Sequence, residues 1–305
     1  MVANSIFSKG PLTQDYGQVW ESQTKSSIEE ISEADVLSAF KENGVLLFRG
    51  FSVSTATFKS FTDQVCPGFM NYEGGASARS KVDGESTVLS VTEPTMLHPI
   101  PLHGEMYYTK RKPSTLFFYC EKPADVDGET TVADGVEIFK KLQRQTRKFF
   151  TDNRIKYICT YPDGRWQQLF KTDTIDDVKA YCEQNELTVY QHDDNSIVTE
   201  YRAAAISTPL YCSEPAFINN IFTMVRWEQA GFNLRIVRDE NGDKLPAEII
   251  DDIQRVERDL TLPVKWQPGD VLMVDNSRML HGRRGFEDTS RAIFVRLGGE
   301  LTSTQ

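Results

Sequence analysis

The stretch Val264-Lys-Trp-Gln-Pro-Gly-Asp-Val-Leu-Met-Val-Asp-Asn276 decides how the fold is read. Residues 264–266 and 271–274 read as strands, the second a continuous apolar run, and Pro268-Gly269 between them makes a turn. Further on, Ala292-Ile-Phe-Val-Arg-Leu297 has the same texture. Working outward, residues 45–48, 87–91, 115–120, 129–132 and 155–161 read as further strands. Helices are fewer. One spans 32–43, capped by Ser32, striped by Val36, Leu37 and Phe40, and ended by Gly44. Others cover 55–65, 136–150 (opened by Asp134) and 174–183. A further helix starts at Pro246 and carries Ile249, Ile250, Ile253, Val256 and Leu260 at helical spacing. Residues 67–86 read as a long loop of the kind that covers functional sites, and 187–227 shows no clear pattern. Many short strands with few helices predict an α+β, mainly β protein with a distorted jelly roll or barrel at its centre.

No linker, repeat or break in composition divides the 305 residues. The expectation is one catalytic domain over 1–305, with elements of 1–86 packing on a core of 87–300. The formal charge of −10 disfavours nucleic acid, whose binders need a basic footprint. The densest basic cluster, Lys110-Arg111-Lys112, reads as a solvated loop. Five scattered cysteines with no CxxC pair exclude a cysteine-rich zinc module and suit a reducing compartment. No apolar run approaches the ~18 residues of a spanning helix, and the N-terminus shows no signal-peptide core. A cytoplasmic protein without a membrane partner is expected; a homo-oligomer is allowed but unmarked.

The chemistry lies with four histidines, at 98, 103, 192 and 281. His103 and Glu105 are two positions apart, so in extended chain both side chains leave the same face. His98 precedes His103 by an odd offset, which puts it on the other face. His192, beside Asp193 and Asp194, reads as a surface residue. His281 follows the strand at 271–274 and can supply a third ligand from a strand-to-loop junction. Two imidazoles and one carboxylate on one face of an octahedron leave open positions, the pattern of non-haem Fe(II) oxygenases.

Longer blocks flank these residues. His103-Gly-Glu-Met-Tyr-Tyr108, Pro113-Ser-Thr-Leu-Phe-Phe-Tyr-Cys120 and Gly128-Glu-Thr-Thr-Val-Ala-Asp-Gly135 form one set. Trp266-Gln-Pro-Gly-Asp-Val-Leu-Met-Val-Asp-Asn276, His281-Gly-Arg-Arg-Gly-Phe286 and Arg291-Ala-Ile-Phe-Val-Arg296 form the other. In order and spacing they resemble the taurine dioxygenase/clavaminate synthase-like (TauD/TfdA) family of Fe(II)/2-oxoglutarate-dependent dioxygenases. The first hundred residues match more loosely, chiefly at Gly44-Val-Leu-Leu-Phe-Arg-Gly-Phe51.

The resemblance implies a double-stranded β-helix core, iron held by His103, Glu105 and His281, and 2-oxoglutarate as cosubstrate. It implies that Thr130 bonds a carboxylate of 2-oxoglutarate and that Arg296 pairs with the far one. Glutamate stands where the family more often has aspartate, as on its clavaminate synthase side. A bidentate, permanently charged arginine suits a carboxylate buried in a barrel. Arg291 is a second candidate for the near carboxylate. Its odd offset from Arg296 puts the two on opposite faces of a regular strand, so it either precedes the strand or lies at the surface. Met106, Tyr107 and Tyr108 are candidates for the substrate pocket, and Arg283 and Arg284 for contact with an acidic substrate.

The activity implied is oxidation of an unactivated C–H bond, by hydroxylation or desaturation, in a small molecule such as an amino acid or specialised metabolite. O2 and 2-oxoglutarate are consumed, and CO2 and succinate leave. A metal-dependent hydrolase or isomerase on a similar barrel is the rival class, and it has no need of a 2-oxoglutarate clamp. A binding module that kept the fold has no need of the ligands.

Overall fold

The computed structural model describes residues 7–70, 72, 79–82, 87–91 and 97–301. Local signals set several elements where the sequence places them. Helix Glu33–Asn43 starts where the Ser32 side chain accepts the Asp35 N–H, and stops at Gly44 with φ 71°. Strand Val45–Arg49 follows directly, four of its five residues buried. Ser54 caps helix Thr55–Val65, and helix Ala247–Leu260 buries Ile249, Ile253 and Val256 after Pro246.

The helix expected over 136–150 is two helices, Gly135–Lys141 and Arg144–Asp152. Leu142 leaves helical geometry at ψ 143°, and the buried Asp252 carboxylate accepts the Gln143 N–H that starts the second helix. Tertiary bonding here overrides a continuous local pattern. Strand Leu262–Val264 ends before Trp266, whose indole N–H donates to Thr130. The stretch 187–227 contains strands Thr188–Gln191 and Ile197–Ala203 and most of helix Ile221–Gln229.

Two sheets carry the centre. In the larger, the order is Phe7–Pro11, Gln18–Ser22, Val45–Arg49, Val271–Asp275, Thr115–Lys122, Ala292–Gly298 and Leu89–Ser90. In the smaller it is Leu262–Val264, Thr130–Asp134, Met279–Arg283 and Ile100–His103. All pairs are antiparallel except Gln18–Ser22 with Val45–Arg49. The N-terminal segment therefore supplies strands to the larger sheet as well as helices that pack on it.

The sheets share one interior. Leu116, Phe118, Leu272, Val295 and Leu297 from the larger meet Val132, Val264 and Met279 from the smaller. On the outer face of the larger sheet, Phe48, Phe117 and Phe294 pack with Phe40, Phe58 and Phe61 of the helices. Each such fully buried side chain stabilises by roughly 1.5–3 kcal/mol, so strand alternation decides strictly which residues face the interior.

A third sheet, ordered Arg235–Asp239, Ile155–Tyr161, Ile197–Ala203 and Thr188–Gln191, has its own apolar packing. Helix Ile221–Gln229 lies against both Arg235–Asp239 and Ile100–His103, which brings this sheet beside the smaller one. No described helix is long and apolar enough to cross a membrane. Cys66, Cys120, Cys159 and Cys182 are buried free thiols.

Candidate metal centre

His103 and His281 come from neighbouring antiparallel strands and are direct cross-strand partners, with ring centroids 4.3 Å apart. His103 Nδ1 lies 2.9 Å from the Pro101 carbonyl. A carbonyl only accepts, so Nδ1 carries the proton and Nε2 keeps its lone pair. His281 packs against Phe118, 5.6 Å between centroids, and its Nε2 is 3.6 Å from Glu105 Oε2. The strand irregularity between His281 and Arg283 requires Gly282. A Cβ there would come within 2.6 Å of the Ile100 carbonyl and 2.8 Å of Thr131 Oγ1.

Glu105 follows its strand on a tight turn rather than extended chain. Gly104 is needed because a Cβ would meet the Tyr107 ring at 2.4 Å, and Met106 takes φ 61°. Buried Asn276 clamps the turn: its Oδ1 accepts the Glu105 N–H at 2.8 Å, and its Nδ2 donates to the Glu105 and Pro113 carbonyls. The Tyr107 hydroxyl adds a bond to the Asn276 carbonyl.

Ligand atoms of His103, Glu105 and His281 lie within 4.8 Å of one another, and this is the one such group among the described residues. Burial, then the neighbouring His281, lowers the His103 pKa to about 4. Burial alone would raise the Glu105 carboxyl. Arg79 and a hydrogen bond with His281 outweigh it and hold the group well below the usual carboxylate range. A neutral imidazole and an ionised carboxylate are the states a divalent cation needs, so the donor set fits a metal with three protein ligands. Arg79 Nη2 and the Tyr72 hydroxyl each lie 3.1 Å from a Glu105 oxygen.

Thr130 faces the shared interior, opposite Arg283 in the strand register. Arg291 immediately precedes strand Ala292–Gly298 and is buried, its Nε–H donating to the Gly128 carbonyl at 3.1 Å. The Arg283 and Arg291 guanidiniums lie 4.7 and 5.1 Å from the Phe286 ring centroid. Burial lowers the Arg283 pKa to about 10; burial and then the Arg283 charge lower that of Arg291 to about 9. The two charges repel, and an anion near them would offset that repulsion.

Arg296 is not brought to this site. It lies on the outer face with Phe294, stacks on Phe69 at 3.4 Å, and pairs with Asp63 at 2.8 Å. It also donates to Thr87, Thr62 and the Lys59 carbonyl. His98 and His192 are exposed, and Lys110, Arg111 and Lys112 are exposed as expected.

A cavity against the metal ligands is lined by Tyr72, Arg79, Tyr108, Asn220, Trp227 and Arg235, among others. Of these, Tyr108 carries a sequence signal, its place after the His-x-Glu, and Tyr72 and Arg79 lie in the loop at 67–86 expected to cover a site. Arg235 belongs to a strand that no pattern announces.

A family model described as "Taurine catabolism dioxygenase TauD, TfdA family" matches residues 9–297. The dapdiamide synthesis protein DdaC of Enterobacter agglomerans is 29% identical over 299 residues, covering 92% of this chain and 89% of that protein. A clavaminate synthase-like protein of Arabidopsis thaliana, At3g21360, is 29% identical over 278 residues, covering 84% and 82%. Among solved structures, PvcB of Pseudomonas aeruginosa superposes with TM-score 0.63 at 13% identity, covering 99% of this chain and 94% of that one. PvcB is described as an Fe, alpha-ketoglutarate dependent oxygenase from an isonitrile synthetic pathway.

Proposed function

Because the chain belongs to the TauD, TfdA family of dioxygenases, we propose that it is an Fe(II)/2-oxoglutarate-dependent oxidoreductase that hydroxylates, or desaturates, an unactivated C–H bond of a small molecule. The observation that carries this reading is the convergence of His103, Glu105 and His281 from two strands and a turn. The shared interior of the two sheets supports the double-stranded β-helix reading.

In this proposal His103, Glu105 and His281 would hold the iron, leaving the remaining coordination positions to cosubstrate and O2. The iron with 2-oxoglutarate supplies the oxidative decarboxylation that couples O2 to C–H cleavage, releasing CO2 and succinate. Arg291 forms the salt bridge to the far carboxylate of 2-oxoglutarate, with Arg283 adding positive charge and the Thr130 hydroxyl a hydrogen bond. Arg296 has no part in it, since its side chain serves the outer face. The Pro101 carbonyl keeps the His103 Nε2 lone pair aimed inward, and Asn276 sets the Glu105 turn. Phe118 and the surrounding apolar interior exclude bulk water. The cationic pair Arg283 and Arg291 weighs against the hydrolase alternative, whose water nucleophile calls for no dicarboxylate anchor.

The test is anaerobic titration of the protein with Fe(II) and 2-oxoglutarate. A visible charge-transfer band is expected, with succinate released from labelled 2-oxoglutarate once air is admitted with a suitable substrate. Absence of the band would rule the assignment out.

A further inference from the structure

We propose that a cavity floored by Tyr107 and Asn276 binds a small polyanion, a metabolite with at least two phosphate or carboxylate groups, and that its occupancy stiffens the Glu105 turn. The cavity has a volume of about 560 Å³ and is lined by Lys110, Lys112, Arg154 and Arg202 above those two buried residues. It shares no lining residue with the cavity beside the metal ligands.

Separate segments bring the cations together. The strand register sets Ala203 opposite Ile155, so Arg154 and Arg202 stand at one shared end of two paired strands. Lys110 and Lys112 come from the loop that follows the Glu105 turn, and Lys112 Nζ lies 5.0 Å from the Tyr107 ring centroid. Among the lining residues Glu186 is the one carboxylate, and Lys110 pairs with it. Lys112, Arg154 and Arg202 make no ion pair among the described residues. On a chain of net charge −10, three unpaired cations around one hollow are a local reversal of sign. They repel one another, and a concave wall of low dielectric focuses their field. An anion seated there offsets the repulsion. Arginine forks suit the oxygens of phosphate or carboxylate, and Ser207 and Thr208 add hydroxyl donors. Cations on both the loop and the strand end call for more than one anionic group on the ligand, and the volume suits a molecule of metabolite size.

The floor of this cavity is also the clamp on the Glu105 turn. The Tyr107 hydroxyl donates to the Asn276 carbonyl at 2.9 Å. The Asn276 side chain accepts the Glu105 N–H at 2.8 Å and donates to the Pro113 carbonyl at 2.7 Å. Pro113 directly follows Lys112. A ligand that draws Lys112 onto itself fixes the segment whose carbonyl Asn276 holds, and the two events then share a coupling free energy. The binding site stands apart from the metal reading of Glu105; the link to the turn gives that reading a point of control.

The experiment titrates the full chain by calorimetry at fixed ionic strength with inorganic pyrophosphate, with tricarballylate and, as a control, with sulfate. Pyrophosphate or tricarballylate is expected to bind at least about 10-fold more tightly than sulfate, and which of them does so separates a phosphate ligand from a carboxylate one. Arg154→Ala combined with Arg202→Ala weakens that binding by about 10-fold or more, as loss of charged hydrogen bonds implies. Lys148→Met combined with Lys179→Met makes the same change of charge on exposed helix positions outside the cavity and leaves the affinity within about 2-fold. Hydrogen exchange at the Glu105 amide is expected to slow by about 5-fold or more in the saturated protein, and not in the arginine double variant. No binding of either polyanion, sulfate binding as tightly, or equal weakening by the two double variants overturns the site. A bound polyanion that leaves Glu105 exchange unchanged overturns the link to the turn. Neither measurement uses iron or 2-oxoglutarate, so failure of the dioxygenase reading is told apart from failure of this one.

Discussion

Arg291 and Arg296 are five residues apart and serve opposite faces of the same strand end. The parity argument separates them in the sequence, but it leaves open which one faces the interior. The structure gives that side to Arg291. Arg291→Met is therefore expected to weaken 2-oxoglutarate binding by roughly 10- to 150-fold, the worth of one or more charged hydrogen bonds, as read from titration of the anaerobic band. Arg296→Met leaves that affinity within about 2-fold. It lowers stability by about 2 kcal/mol instead, because Thr62, Thr87 and the Lys59 carbonyl lose a charged partner, and denaturant unfolding measures the loss. If the two variants exchange these effects, the assignment of faces is reversed. Replacing Glu105 by alanine removes the only carboxylate of the three-ligand group and is expected to abolish stoichiometric Fe(II) retention on equilibrium dialysis.

At the level of elements, the site depends on how closely strands Met279–Arg283 and Ile100–His103 approach and on the turn after the second. Gly282→Ala drives a methyl group into the Ile100 carbonyl, a backbone atom that cannot step aside. The expected result is a separation of His103 from His281, with Fe(II) affinity lowered at least about 10-fold and stability by about 1–3 kcal/mol. Metal titration and thermal unfolding measured on the same sample check both. Asn276 works on the other side of the turn. Asn276→Ala leaves the Glu105 N–H and the Pro113 carbonyl without their buried partner, and weaker metal binding is expected with the ligand residues all present. The expected long helix fails for a related reason: the Gln143 N–H finds a carboxylate in a distant helix, and sequence periodicity carries no record of that bond.

For the molecule as a whole, the layers are tied together by charges at the Asp275–Arg278 corner. Arg278 bonds Asp134 of the smaller sheet and the Glu42 carbonyl of the N-terminal helix, while Asp275 ends a strand of the larger sheet. Burial raises the Asp275 pKa to about 6, against the opposing bonds from Ser277 and the charge of Arg278. A folded-state pKa above the unfolded one means the protonated form is favoured by folding. This contribution is present below about pH 4 and is lost as pH rises through about 6, amounting to a decline on the order of 3 kcal/mol. Asp275→Asn keeps the acceptor for Ser277 and is expected to flatten that part of the stability–pH curve, measured by urea unfolding across the range. An unchanged slope would place the titration elsewhere. The sequence by itself determined the strand-rich class, the main helices and the two halves of the ligand set, because caps, apolar alternation and the His-x-Glu spacing are local properties. Only the tertiary structure decided that Arg291 rather than Arg296 faces the interior, that Asn276 holds the Glu105 turn, and that Arg235 and Asn220 stand beside the metal ligands. Those facts depend on which strand face is buried and which distant segments meet, and both are settled by packing rather than by neighbours in the chain.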